Sequence, residues 1–231
     1  MDNTKLWIWF QLVFGAANPK AWGVLNQFDT LEEAYATVKS GKFRNISGVE
    51  AKRAVSVKIE EAEKVISDCD EKGYRIICYD DNDYPSILKT IYNAPLVLYC
   101  MGNPGVLNDE VGITVVGTRN PSPYGVKVAE RICKELSKVG FVLISGFALG
   151  IDSMAHKSAL LNRGRTVAVL GCGLDVDYPK QNAKTKKIIA MNGAVISEYI
   201  PGTRPDRVNF PKRNRILSGL GIGTLVVEAA M

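Results

Sequence analysis

The sequence has little histidine and no closely spaced pair of cysteines. His156 is the single histidine in 231 residues, which excludes histidine-rich metal sites and makes any Ser-His or Cys-His mechanism depend on that residue. The cysteines are odd in number, widely spaced and form no C-x-x-C pair, so neither a disulfide framework nor a structural zinc site fits them. We expect all five to be reduced and mostly buried: Cys69, Cys78, Cys100, Cys133 and Cys172.

Long apolar runs are also missing. No run of about 18 apolar residues could cross a membrane, and the start, Met1–Lys5, lacks the basic region and cleavage site of a secretory signal. We therefore predict a cytoplasmic protein with no membrane span. With 46% hydrophobic and 23% charged residues, the composition is that of a globular protein and excludes a disordered one.

Charge is distributed unequally along the chain, whose net charge is +5. Residues 1–110 carry 12 Lys/Arg against 16 Asp/Glu, whereas residues 111–231 carry 17 against 8. Because a strong local excess of one sign attracts a partner of the other, the second half is expected to meet an anionic partner.

The first part of the chain is predicted to be a small all-α domain over residues 1–70. Apolar residues recur there at helical spacing between short turns, and Thr30 followed by Glu33 is typical of a helix N-cap. The aromatic residues of this segment are expected in its core, since so short a bundle needs every large side chain. The acidic, turn-forming segment 79–85 is predicted to be a linker.

Residues 71–231 are predicted to form a Rossmann-like domain with a doubly wound, mostly parallel sheet. Short aliphatic runs alternate there with amphipathic segments, which is typical of strands covered on both faces by helices. The expected strands are 96–100, 113–116, 142–144, 166–170 and 194–196, and the expected helices are 124–139, 151–162 and 182–191.

Glycine-rich turns follow the first three parallel strands of this domain. Glycine lets the backbone approach a ligand closely, and the free N–H groups at helix starts favour an anion, so a phosphate site is predicted at this edge of the sheet. Neither G-x-G-x-x-G nor the P-loop motif is present, so we expect no dinucleotide cofactor and no cofactor of another kind. The glycines concerned are Gly117, Gly146, Gly150, Gly171 and Gly173.

Two basic clusters lie beside these turns. Lys180 stands at the mouth of a predicted helix, with Lys184 and Lys187 further along it, although a solvated helix face explains the latter two equally well. The segment 201–215 interleaves arginines with Phe210 and asparagines. That mixture suits a single-stranded polynucleotide, because arginine holds phosphate, an aromatic ring stacks on a base and amides reach base edges.

Candidates for catalysis are few. Asp152, four residues before His156, suits the first turn of a helix better than acid–base chemistry. The other carboxylates near strand ends have a spacing that fixes no metal site. We therefore expect a protein that is not an enzyme and has no catalytic residues.

Five sequence blocks together resemble those of the bacterial DNA-processing protein A family, DprA, also called Smf. The resemblance covers roughly residues 75–231, and the helical segment is similar to the family's small sterile-alpha-motif-like domain. The blocks are VGTR with a following YG, SGFALGID followed by His156, AVLGCGLDVDYPKQN, ISEY, and FPKRNRILSGL with LVVEA.

The resemblance implies an extended Rossmann-type domain that binds single-stranded DNA without cutting it. It also implies a homodimer that protects incoming DNA and loads the RecA recombinase during natural transformation. The family continues beyond the LVVEA strand, so we expect this chain to be a C-terminally truncated form. The implied DNA and phosphate contacts are Gly117, Arg119, Gly146, Gly150, Lys180 and Asn182, with Phe210, Arg213, Asn214 and Arg215 of the FPKRNR block nearby.

Two alternatives stay open. A nucleotide-metabolising enzyme resembling the lysine-decarboxylase-like phosphoribohydrolases would need a catalytic carboxylate such as Glu198 or Glu228. Its P-G-G-x-G-T turn has only a partial counterpart, without the proline, in residues 219–224. The other alternative is a catalytically inert protein-interaction scaffold.

Overall fold

The computed structural model describes residues 3–43, 46 and 48–229, so the outer ends of both predicted domains lie outside the described residues. Five helices precede the sheet. They are α1 (Thr4–Phe14), α2 (Lys20–Leu25), α3 (Leu31–Lys39), α4 (Gly48–Ser56) and α5 (Ile59–Glu71).

The local sequence explains how these helices begin and what they bury. The Thr30 hydroxyl accepts a hydrogen bond of 3.2 Å from the Glu33 N–H, which confirms Thr30 as the N-cap of α3. Trp9 and Phe10 of α1 are fully buried, as expected for the aromatic residues of this segment. The likeness to a sterile-alpha-motif domain and the boundary at residue 70 stay predictions.

The sheet has seven strands in the order β1-β2-β6-β5-β4-β3-β7. The five strands from β6 to β7 are parallel, while β2 is antiparallel to both β1 and β6, so the predicted mostly parallel sheet is confirmed. The strands are β1 (Arg75–Cys78), β2 (Val97–Gly102), β3 (Gly112–Gly117), β4 (Val142–Ser145), β5 (Thr166–Leu170), β6 (Ala194–Ser197) and β7 (Thr224–Val227).

Helices cover both faces of this sheet, as the aliphatic strands predict. Successive residues of β4 point to opposite sides: Leu143 packs with α6 and α7, whereas Ile144 packs with α9. The helices lie within about two residues of the predicted bounds where a helix was predicted. They are α6 (Pro123–Lys138), α7 (Ile151–Leu161), α8 (Ala183–Asn192) and α9 (Asn209–Leu220).

The helical segment, α1 to α5, packs directly on the sheet and shares one hydrophobic core with it. Gln11 of α1 is buried and accepts a hydrogen bond of 2.6 Å from the Tyr99 hydroxyl of β2. Its amide donates to the Glu198 carbonyl at 2.8 Å. A buried amide held at both ends fixes the orientation of α1 on the sheet.

The predicted linker at 79–85 is wrong, because this segment is packed rather than free. The Tyr84 side chain is buried, and its hydroxyl donates to the Pro95 carbonyl at 2.8 Å. The Tyr79 ring lies edge-on to Trp22 with the ring centres 4.4 Å apart. Aromatic burial outweighs the turn-forming acidic residues that suggested a linker.

All five cysteines are free and buried, as predicted. Across the described part of the chain, no helix is both long and apolar enough to span a membrane.

Candidate nucleic-acid interface

The loops that follow β3, β4 and β5 meet at one edge of the sheet, because these strands are parallel neighbours. Between them lies an open cleft, here called the glycine cleft, with about 460 Å³ of space when the solvent at its mouth is included. Its lining is Arg119, Gly146, Phe147, Ala148, Leu149, Leu170, Gly171, Cys172, Tyr178, Pro179 and Phe210.

Two aromatic rings and one guanidinium form a wall of the glycine cleft. The centres of the Tyr178 and Phe210 rings are 5.5 Å apart, with an angle of 33° between their planes. The Arg119 guanidinium carbon lies 5.9 Å from the centre of the Phe210 ring, within the range of a cation–π contact. A side chain at Gly171 would meet Phe210 at 2.8 Å, so glycine lets this ring rest on the backbone.

Gly117 and Gly150 shape the edge of the sheet rather than line the cleft. Gly150 has φ +79°, a left-handed conformation that favours glycine, and a Cβ there would overlap the Thr118 carbonyl. A Cβ at Gly117 would overlap the Val227 carbonyl. Gly150 therefore allows the loop after β4 to approach the loop after β3, and Gly117 allows the end of β3 to approach the end of β7.

Arg213 lies beneath the loop that follows β4. Its side chain is buried, and Nη1 donates to the Gly146 carbonyl at 2.6 Å and to the Val169 carbonyl of β5. A Cβ at Gly146 would lie 2.7 Å from Arg213 Nη2, so glycine at 146 makes room for the guanidinium. Burial lowers the pKa of Arg213, with the charge of Asp152 acting in the opposite direction.

Asp152 lies in the first turn of α7, as predicted, and its carboxylate accepts a hydrogen bond of 3.2 Å from the Ala148 N–H. Burial raises the pKa of this carboxyl, while the Ala148 N–H and the Arg213 charge act to lower it. Asp152 thus fastens the loop after β4 to the start of α7.

Asn182 and Lys180 stand at the start of α8 in different surroundings. The buried Asn182 amide donates to the Phe147 carbonyl at 3.2 Å and to the Ser153 hydroxyl at 3.0 Å, which joins α8 to the loop after β4. Lys180 is exposed and directly follows Tyr178 and Pro179 of the cleft wall. Among the residues described, no carboxylate lies within 4.0 Å of its ammonium group.

The last two predicted contacts, Asn214 and Arg215, lie in different surroundings. Asn214 is exposed, and its side-chain carbonyl accepts a hydrogen bond of 3.3 Å from Arg213 Nε. Arg215 turns away from the cleft and donates to Glu198 Oε1 at 2.5 Å. The same oxygen accepts the Ala17 N–H at 3.0 Å, so this ion pair lies at the junction with the helical segment.

The sequence correctly predicts that Arg119 and Phe210 lie close together, but it does not predict that Tyr178 lies beside them. The available signal is its place in the D-Y-P-K turn, between the glycine turn after β5 and Lys180. Spacing alone does not show that its ring faces Phe210, because α9 is more than 30 residues further along the chain.

The carboxylates of the enzyme alternative hold structural contacts outside the glycine cleft. Glu228 accepts hydrogen bonds from the Ser122 hydroxyl and, at 2.8 Å, from the Ser122 N–H, and these lower its pKa. Glu198 accepts hydrogen bonds from the Arg215 guanidinium and the Ala17 N–H. Burial raises the pKa of Glu198, while the Arg215 charge acts to lower it. Residues 219–224 lie at the amino end of β7, across the sheet from the cleft.

Comparison with known proteins gives one family and several relatives. The family model described as DNA recombination-mediator protein A matches residues 75–231. Protein Smf of a Synechocystis species is 44% identical over 162 residues, which cover 69% of this chain and 41% of that protein. DNA processing protein DprA of Bacillus subtilis is 38% identical over 165 residues, covering 71% and 56%. The chain thus spans about half the length of these relatives.

Two solved structures are also similar. DNA processing protein A (DprA) from Streptococcus pneumoniae superimposes with a TM-score of 0.80 at 32% identity, covering 100% of this chain and 80% of that one. DNA processing protein A from Helicobacter pylori, solved to describe its single-stranded DNA binding mode, gives a TM-score of 0.62 at 33% identity, covering 68% and 70%.

Proposed function

Because the chain belongs to the DNA recombination-mediator protein A family, we propose that it binds single-stranded DNA in the glycine cleft and acts as a recombination mediator. The observation that carries this proposal is the wall formed by Arg119, Tyr178 and Phe210 at the carboxyl ends of the parallel strands. The single-stranded DNA binding mode of the Helicobacter pylori relative supports the same kind of ligand.

Phosphates of the strand would contact the exposed cations on the rim of the cleft. Arg119, which lines the cleft, and Lys180, which directly follows its wall, are exposed, and within the described ranges neither has a carboxylate within 4.0 Å. Cations without a carboxylate partner are available for phosphate, and each phosphate neutralised releases counterions from the strand.

Bases of the strand would stack on the aromatic wall. Phe210 and Tyr178 offer flat apolar surface, and Arg119 can stack on a base as well as reach its phosphate. Duplex DNA keeps its bases stacked inside the helix, so such a wall favours single strands.

We propose that binding occurs without cleavage. Glu228 and Glu198 are occupied by structural hydrogen bonds, and His156 is buried. The phosphoribohydrolase alternative predicts release of free base when the protein is incubated with AMP. No release together with tight oligonucleotide binding is the result we expect.

Protection of incoming DNA, homodimer formation and RecA loading during natural transformation belong to the same proposal. They rest on the resemblance carried by the five sequence blocks and concern the full length of the relatives, of which this chain spans about half. Co-sedimentation of the chain with RecA on single-stranded DNA would test recombinase contact separately from DNA binding.

Filter binding of oligo(dT) and of a matched duplex across a salt series tests the DNA-binding proposal. We expect preference for the single strand and a steep loss of affinity with salt. Arg119→Ala and Lys180→Ala should each lower the salt slope by about 0.7, the value for one phosphate contact on a single strand. Lys134→Ala on the exposed surface of α6 is the matched control. Slopes equal to that of the parent would show that the cleft is not the site.

A further inference from the structure

Helix α9 sends three side chains of the FPKRNR block into three different surroundings. Phe210 faces the glycine cleft, Arg213 enters the protein beneath the loop after β4, and Arg215 binds Glu198 at the helical segment. Only the first of these side chains lines the cleft.

Arg213 joins two strands at the floor of the cleft. Its guanidinium donates to the Gly146 carbonyl, which directly follows β4, and to the Val169 carbonyl within β5. Gly146 itself lines the cleft, as do Leu170 and Gly171, which follow Val169. One side chain thus fixes the spacing of two loops that form the binding surface.

Resting on the proposed function, we propose that Arg213 is a positioning residue, which holds the loop after β4 in its DNA-binding shape without touching the strand. The side chain is 5% exposed, and its Nη1 and Nε atoms are already bonded to protein oxygens. A phosphate could reach it only after the loop had opened.

The surroundings of Arg213 are built for a guanidinium. The Asp152 carboxylate lies beside Gly146 and supplies the balancing charge, and the same carboxylate holds the Ala148 N–H of the loop. A Cβ at Gly146 would lie 2.7 Å from both Arg213 Nη2 and Asp152 Oδ2. Gly146, Arg213 and Asp152 therefore act as one unit.

The test compares Arg213→Gln with Arg119→Ala by oligo(dT) binding across a salt series. Removal of Arg213 should weaken binding about tenfold, because a displaced loop misplaces the groups on it. The salt slope should equal that of the parent, since no phosphate contact is lost, whereas Arg119→Ala should lower it by about 0.7. Lys134→Ala, which removes an exposed positive charge on α6, is the matched control.

A second readout uses native cysteines and needs no DNA. Cys172 lines the cleft and is 1% exposed, and burial raises its thiol pKa to about 11. Loosening of the loop in Arg213→Gln should speed alkylation of Cys172 about tenfold through local opening. Cys133, buried in α6, is the internal reference and should not change.

Because loss of one buried charge can unfold a protein, the double variant Arg213→Gln with Asp152→Asn removes both charges together. It should show the same altered Cys172 reactivity with Cys133 still protected.

The outcomes separate this proposal from the proposed function. A lower salt slope in Arg213→Gln would mean that Arg213 contacts phosphate and would overturn the positioning role. Unchanged affinity, or unchanged Cys172 reactivity in both variants, would overturn it as well. Equal exposure of Cys172 and Cys133 would mean general unfolding and no specific role for Arg213. A parent protein that ignores single-stranded DNA would instead refute the proposed function.

Discussion

Positively charged residues serve opposite purposes beneath the glycine cleft and on its rim. Arg213 beneath it and Lys186 of the neighbouring helix α8 are 5% exposed and donate to backbone carbonyls, those of Leu174 and Val176 in the case of Lys186. On the rim, Arg119 and Lys180 are exposed and available to a ligand.

The difference shows that net positive charge does not equal DNA-binding capacity. A buried cation must be paired or hydrogen-bonded to be tolerated, and its donors are then used inside the protein and are not free to hold a phosphate. Substitutions can test this division, first on the buried side and then on the exposed side.

The largest effect is expected from Arg215, at the junction with the helical segment. Arg215→Met leaves the buried Glu198 without its partner charge and should cost about 3–5 kcal/mol in the free energy of unfolding. Urea denaturation measures this cost. The double variant with Glu198→Gln should recover much of the loss. Equal stability of single and double variants would contradict a buried ion pair here.

A pH-dependent effect is expected from His156, whose pKa burial lowers to about 3. The Thr166 hydroxyl donates to the Leu143 carbonyl at 2.6 Å, so it accepts from His156 Nδ1–H at 2.7 Å. Burial disfavours the charged form, so the ring is neutral near pH 7. The unfolded chain takes up a proton below its ordinary pKa near 6.5, and the folded chain does not until about pH 3. This contribution to stability is complete above pH 6.5 and is lost as the pH falls.

Denaturation of the parent and of His156→Asn at pH 7, 6, 5 and 4 measures this effect. Between pH 6 and pH 4 the parent should lose stability relative to the variant by about 1.4 kcal/mol per pH unit. Burial raises the pKa values of Asp152 and Glu198, so protonation of these carboxyls stabilises the folded protein as the pH falls. The parent and the variant share this opposite effect, so it cancels in the difference between their stabilities. A constant difference across the series would contradict a neutral, buried imidazole.

On the rim, Phe210→Ala should weaken oligo(dT) binding by about 5- to 150-fold, corresponding to roughly 1–3 kcal/mol per stacked base. The salt slope should not change, because a ring neutralises no phosphate. Filter binding measures both quantities, and Phe210→Trp should retain most of the affinity. A fall in slope with Phe210→Ala would show that the ring only positions Arg119.

The smallest effect is expected from Lys187, on the exposed surface of α8. Lys187→Ala should change oligo(dT) affinity by less than about twofold, since exposed charges more than a Debye length of about 10 Å from the strand are largely screened. A loss as large as that of Lys180→Ala in the same assay would mean that the strand continues along α8.

Strands β2 to β6, helices α6 to α8 and the shared edge of the glycine turns are predictable from the sequence, because they follow from local periodicity and from the parallel order of neighbouring strands. Strand β1 and helix α9 are not among the elements expected from the sequence. The roles within FPKRNR are not predictable either. Lys212, Arg213 and Arg215 look alike in sequence, and only tertiary packing decides which one is exposed and which meet Gly146 or Glu198. Partners so distant along the chain leave no signal in a single sequence.

The covering of β2 by α1 also bears on how this protein could be shortened or recombined with others. Tyr99 is fully buried, and its hydroxyl meets Gln11. A version that begins at residue 71 would expose this ring and the neighbouring apolar face to water, which invites aggregation. Gene fusions and shortened versions should therefore keep helices α1 to α5 together with the sheet.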